Sequence, residues 1–305
     1  MYKNIVIALS LLSAVSVLSK EKIVYGDDNR VEFHEASVKL QNIAKSVGGI
    51  IFKDGSISVG TDKTMLNPKS LGSKMNLCEG EKFRDQPSSV SCTFFLVAKN
   101  IIVTAGHCMQ AKDACSDASF LFDYKISTKD KRADVLVDNK NIYKCKKILS
   151  SKLESVDRKA TFDYALVQLD RDVTDREPLK YRYQGRKDID SFEDMKVDTP
   201  LTVIGHPSGL PLKIADGSKV VEITNKNYFL ADLDTFGGNS GSPVLNSMTN
   251  EVVGILVRGQ TDYIKDKLNK CTKVNTVATR EELKTKNPEK GEAVSNIFQI
   301  AELYQ

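Results

Sequence analysis

The sequence predicts an all-β chain whose short strands are of the kind that close into barrels, ending in one amphipathic helix. Three observations carry this. From Cys78 onward, short apolar runs alternate with turn residues at close spacing. Hydrophobic residues make up 41% of the 305-residue chain, enough for a substantial core, while charged residues are an ordinary 28%. At the C-terminus Ile297, Ile300, Ala301 and Tyr304 fall at the spacing of one helical face, predicting a helix over Glu292–Tyr304.

The elements follow in order. Lys3 precedes an apolar run, Ile5–Leu18, broken by serines, with small residues at Ala14, Ser16 and Ser19. This is the pattern of an export signal peptide over residues 1–19. The run falls short of the roughly 20 apolar residues that a spanning helix needs. No second stretch of that length follows, so a secreted or periplasmic protein with no membrane association after signal removal is expected. Residues 20–77 read as an N-terminal extension or pro-segment wrapped on the domain. It contains a short helix with Val38, Ile43 and Val47 on one face, then a strand at Gly49–Phe52. The domain proper, residues 78–305, is expected to hold strands at Cys92–Ala98, Ile101–Thr104, Asp134–Val137, Tyr164–Leu169, Leu201–Gly205, Lys219–Ile223, Tyr228–Leu233, Pro243–Leu245 and Glu251–Val257.

A net charge of +4 over this length argues for neither a nucleic acid nor a membrane surface as partner. The six cysteines are an even number, and no pair has C-x-x-C spacing. Disulfides are therefore expected rather than a metal site.

Chemistry concentrates in three separated segments. Phe236–Pro243 reads Phe-Gly-Gly-Asn-Ser-Gly-Ser-Pro, setting Ser240 in a turn between Gly238 and Gly241. Thr104–Cys108 reads Thr-Ala-Gly-His-Cys, placing His107 at the end of an apolar strand, and Asp163 opens another. A serine is a weak nucleophile at neutral pH and needs a base, which in turn needs an orienting acid. The chain order is His, Asp, Ser, and the Ser240 turn lacks the second glycine of G-x-S-x-G. Both points argue against an α/β-hydrolase. Of the other histidines, His34 lies in the extension and His206 in a Gly-His-Pro loop beside the barrel. The competing acids Asp157, Asp170 and Asp172 sit in charged loops.

Together these segments resemble the secreted bacterial trypsin-like serine proteases of the chymotrypsin fold. The Gly-Gly-Asn-Ser-Gly-Ser-Pro turn is near that of the glutamyl-endopeptidase branch, and the resemblance covers Cys78–Gln305. It implies a chymotrypsin-like double β-barrel with the active site between the barrels. His107 and Asp163 would come from the first barrel and Ser240 from the second. The resemblance makes Ser240 the nucleophile, His107 its base, Asp163 the orienting acid, and the backbone N–H groups of Gly238 and Ser240 the oxyanion donors. It pairs Cys92 with Cys108. The remaining four cysteines allow three pairings, of which Cys115–Cys145 and Cys78–Cys271 are expected. It implies a monomer acting on protein or peptide substrates without cofactor or metal.

Several positions depart from the pattern. Asn239 stands where trypsin carries an aspartate that binds a new N-terminus. Val257 and Arg258 replace the usual serine and tryptophan, and Leu256 stands where glutamyl endopeptidases have a glutamate-reading histidine. Asp234, six residues before Ser240, matches the base of the trypsin specificity pocket and Gly259 matches a pocket-wall glycine. Asp234, Arg258 and Gly259 are thus the expected substrate-binding residues, with basic side chains selected. A non-catalytic binding module on the same fold is the alternative.

Overall fold

The computed structural model describes residues 24–59, 61–129, 132–156, 159–188, 193, 195–259, 261–277 and 291–305. The expected signal peptide lies outside them.

Two closed barrels organise the chain. The first runs Ile142–Val156, Lys159–Leu169, Ile101–Thr104, Cys92–Ala98, Val47–Phe52 and Ala118–Phe122, each strand antiparallel to its neighbours and the last pairing with the first. The second runs Pro200–Gly205, Pro243–Asn246, Val252–Arg258, Glu292–Asn296, Tyr228–Ala231 and Lys213–Ile223, which returns to Pro200–Gly205. Closure leaves neither barrel an open edge inside its ring. The short strand Arg30–Glu32 is laid onto Lys213–Ala215 outside the second ring.

The apolar texture of the strands explains the ring packing. Phe94, Phe120 and Phe122 are fully buried in the first barrel, with Phe94 meeting the other two edge-on at 5.3 and 4.8 Å between ring centres. Leu201, Val220, Phe229, Val244, Leu256 and Val294 fill the second.

Two expectations are corrected. Glu292–Tyr304 is not a helix. Glu292–Asn296 is a strand paired on both sides, completing the second barrel, and is followed by 3-10 turns at Ile297–Gln299 and Ala301–Tyr304. A 3-10 turn also stacks residues three apart, which is why Ile297 with Ile300 and Ala301 with Tyr304 read as a helical face, although single turns bury Ile297, Ile300 and Tyr304. Second, residues 20–77 are not an appendage outside the domain. Val47–Phe52 sits between Cys92–Ala98 and Ala118–Phe122 in the first barrel, so the boundary at Cys78 cuts through a fold unit. A helix does form before it, Val38–Ala44, with the Ser37 side chain accepting from the Leu40 N–H at its start. The expected face of Val38, Ile43 and Val47 does not form: Val38 is exposed and Val47 already belongs to the strand.

The three disulfides are Cys92–Cys108, Cys115–Cys145 and Cys78–Cys271. The expected pairings are all present.

Candidate active site

His107 enters on a 3-10 turn, Gly106–Met109, directly after the Ile101–Thr104 strand. Asp163 lies within Lys159–Leu169, the strand paired with Ile101–Thr104. Asp163 is completely buried, and both its oxygens serve His107. Oδ1 accepts from the His107 backbone N–H at 3.0 Å, and Oδ2 accepts from Nδ1 at 2.9 Å. A carboxylate at that distance holds the proton on Nδ1 and leaves the Nε2 lone pair to act as a base. The histidine side chain is 26% exposed while the acid is sealed. Val257 supplies no hydroxyl to Asp163. The two contacts to His107 orient the acid without it.

The second barrel delivers Ser240 on the turn between Tyr228–Ala231 and Pro243–Asn246. Gly238 and Gly241 have φ of +94° and +90°, a region that side chains disfavour. A Cβ on Gly238 would lie 2.5 Å from the His206 carbonyl, and one on Gly241 2.1 Å from the Thr93 carbonyl. Ser240 is 9% exposed, and its carbonyl lies 3.8 Å from Cys108 Sγ. The disulfide next to His107 therefore abuts the Ser240 turn.

Each successive carbonyl of this turn is held. Gly237 O accepts from Ser208 N at 2.5 Å, Gly238 O from Thr93 Oγ1 at 2.8 Å, Asn239 O from Ser242 N at 2.9 Å and Ser240 O from Thr93 N at 2.8 Å. In a planar trans peptide the N–H points opposite to the carbonyl. Pinning the Gly237 and Asn239 carbonyls therefore turns the Gly238 and Ser240 N–H groups to the other side. Asn239 is 2% exposed and forms no ion pair. Its side-chain oxygen accepts from Ser242 Oγ at 3.3 Å.

The expected substrate-binding residues are redistributed. Asp234 is 1% exposed, and its oxygens accept backbone N–H bonds from Tyr25 at 2.8 Å and Asn29 at 3.0 Å. Burial pushes its pKa up to about 6 despite those two bonds. Arg258 is buried, its guanidinium 5.3 Å from the centre of the Tyr228 ring. Gly259 does lack a side chain where space matters, but Glu292 occupies that space. A Cβ at Gly259 would lie 1.7 Å from Glu292 Oε2. That carboxylate is fully buried and accepts from Thr235 Oγ1 at 2.7 Å and Tyr25 OH at 3.3 Å. It bridges the segment leading into the Ser240 turn and the one leaving the Val252–Arg258 strand, which is bonded to the turn through Gly241 N and Leu256 O. The sequence carries no sign of this role. A glutamate opening the helix expected over Glu292–Tyr304 reads as solvent-facing.

His206 is no second base. It is completely buried, stacked on Tyr124 at 5.8 Å, with Nδ1 donating to Leu210 O at 2.9 Å. Asp170 pairs with Arg171 and Asp172 accepts from Asn100, as surface charges do.

Two closed antiparallel barrels, with an acid-held histidine from one and a glycine-framed serine from the other, define the trypsin-like class of peptidase. The chain belongs to that family: the trypsin-like peptidase domain model matches residues 92–255, more than half of its length. Among solved structures it is similar to the Vibrio cholerae VesB protease, with 13% identity and a TM-score of 0.49, covering 91% of this chain and 64% of that one. It is also similar to a Glu endopeptidase solved in complex with MPD, with 18% identity and a TM-score of 0.46, covering 88% of this chain and 100% of that one. This chain thus spans less than two thirds of the VesB protein.

Proposed function

We propose that this chain is a serine endopeptidase that cleaves protein or peptide substrates through an acyl-enzyme. The observation that carries the reading is the doubly anchored pair of Asp163 and His107 beside a Ser240 turn whose carbonyls are all pinned. Ser240 Oγ attacks the scissile carbonyl and its proton passes to His107 Nε2. The Gly238 and Ser240 N–H groups receive the oxyanion. As the tetrahedral intermediate collapses, the C–N bond breaks and His107 gives the proton to the departing amine. Water, deprotonated by His107, then releases the acid and restores Ser240. Asp163, bonded to Nδ1, orients the ring and stabilises the imidazolium.

The test is labelling with a fluorophosphonate together with peptide turnover. Wild type should label at one site, and Ser240→Ala should not label. That variant should retain the fold while losing on the order of a million-fold in kcat. Turnover near wild type in Ser240→Ala would overturn the assignment. An inert wild type would favour the binding-module alternative.

The finer reading is a preference for a basic residue before the scissile bond, with Glu292 rather than Asp234 as the selecting carboxylate. Asp234 accepts from the backbone amides of Tyr25 and Asn29, whereas Glu292 lies against Gly259, the residue expected at the pocket wall, while accepting from the Thr235 and Tyr25 hydroxyls. Export is part of the same reading. Three disulfides suit an oxidising compartment, and N-terminal sequencing of the natural product should begin after residue 19.

A further inference from the structure

We propose that Thr93 is a positioning residue that sets the geometry of the nucleophile turn and couples it to the catalytic histidine. This rests on the serine-peptidase reading above. The four carbonyls of the turn, Gly237 to Ser240, are held by Ser208 N, Thr93 Oγ1, Ser242 N and Thr93 N. Three of these donors are backbone amides. Only the bond to Gly238 O comes from a side chain, so it alone depends on residue identity.

The Thr93 hydroxyl has a second partner, accepting from the His206 backbone N–H at 3.1 Å. It thereby joins the turn to the loop whose Ser208 N–H holds Gly237 O. Both peptides flanking Gly238 are thus tied to one hydroxyl, the 238–239 peptide directly and the 237–238 peptide through the 206–208 loop. The 237–238 peptide carries the Gly238 N–H, and the 238–239 peptide fixes the other side of Gly238.

The same residue is bound to the histidine side of the site. Thr93 follows Cys92, whose disulfide partner Cys108 follows His107. Its carbonyl accepts from Thr104 Oγ1 at 2.7 Å, on the strand that runs into the histidine turn. Thr93 is completely buried, so these bonds face no competition from water. A base from the first barrel and a nucleophile from the second are held in register through one residue.

The experiment compares Thr93→Val, which keeps the shape and removes the hydroxyl, with Thr93→Ser, which keeps the hydroxyl. Folding is checked by near-UV circular dichroism. Thr93→Val should lose roughly 10- to 100-fold in kcat, as small misplacements of catalytic groups do, with KM within about threefold. Its fluorophosphonate labelling should slow by a similar factor. Thr93→Ser should recover to within about threefold of wild type on both measures. Wild-type kcat in Thr93→Val, a serine variant as slow as the valine one, or a loss confined to KM would each overturn the proposal. If valine prevents folding, Thr93→Ala replaces it with the same expected and overturning results. If wild type neither labels nor turns over, the peptidase reading fails, and amide hydrogen exchange at Asn239 and Gly241 decides about Thr93. Exchange at least about tenfold faster in the valine variant than in wild type and serine supports the clamp. Equal exchange overturns it.

Discussion

Buried carboxylates do three different jobs in this protein, and their partners tell them apart. Asp163 gives both oxygens to His107. Asp234 gives both to backbone amides of the N-terminal segment. Glu292 takes two hydroxyl donors and lies against the bare backbone of Gly259. A carboxylate that selects a cationic substrate should lose that selection when neutralised, because a charge-assisted bond is stronger than a neutral one. Glu292→Gln is therefore expected to lower kcat/KM for Arg and Lys substrates about tenfold or more relative to Ala substrates. Asp234→Asn should change that ratio far less. Matched peptides differing only before the scissile bond measure both, and a ratio that follows Asp234 instead would return the pocket to the position expected from the sequence.

At the scale of elements, the disulfides divide between site and scaffold. Cys92–Cys108 closes a separation of 16 residues around the histidine turn, whereas Cys78–Cys271 closes 193. A longer loop restricts the unfolded chain more. Replacing Cys78 and Cys271 by serine should cost about 2–5 kcal/mol in stability while leaving kcat at low temperature within about twofold. Replacing Cys92 and Cys108 should lower kcat as well, since Cys108 touches the Ser240 carbonyl and Cys92 adjoins Thr93. Denaturant midpoints alongside initial rates separate the two effects. A large kcat loss in the first pair would mean that the 78–271 link also shapes the cleft.

For the whole molecule, the N-terminal region and the barrel junction matter most. A chain starting near Leu77 lacks Val47–Phe52, which bridges Cys92–Ala98 and Ala118–Phe122, and should fail to fold. A well-dispersed amide spectrum from such a chain would contradict this. His206 stacks on Tyr124 across the junction. Burial pushes its pKa down from 6.5 to about 4, with Lys213 adding to the effect and the bond to Leu210 O opposing it. Below about 6.5 the unfolded chain binds a proton that the folded state refuses. Stability from this residue is therefore present above that pH and falls as the pH drops toward about 4, by on the order of 3 kcal/mol. Asp234 acts with the opposite sign. Its folded pKa of about 6 lies above the ordinary 3.8, so the folded state gains as pH falls through that window. Comparing the pH dependence of wild type with His206→Phe, which keeps the stack, isolates the histidine. Parallel curves from about pH 4 to 8 would show that it does not contribute.

The sequence by itself determined the barrel strands with apolar runs and the His-Asp-Ser order, because each rests on a local or strongly spaced signal. The Cys92–Cys108 pairing came with the family resemblance, while the other four cysteines kept three pairings open until the fold brought Cys115 to Cys145 and Cys78 to Cys271. Cys92–Ala98 and Ile101–Thr104 have the bounds their composition implies. Ile142–Val156 escaped notice because its lysines and serines carry no two-residue apolar alternation, yet it pairs on both sides once the barrel closes. Glu292–Asn296 escaped because the 3-10 turns after it share the three-residue spacing of a helix. Only the tertiary structure decided that Val47–Phe52 belongs to the first barrel, that Asp234 faces Tyr25 and Asn29, that Glu292 fills the space at Gly259, and that Thr93 grips the Ser240 turn. Each of these contacts joins residues tens to hundreds of positions apart. Barrel closure brings them together, and no local pattern of polarity or spacing encodes which buried carboxylate or hydroxyl meets which partner.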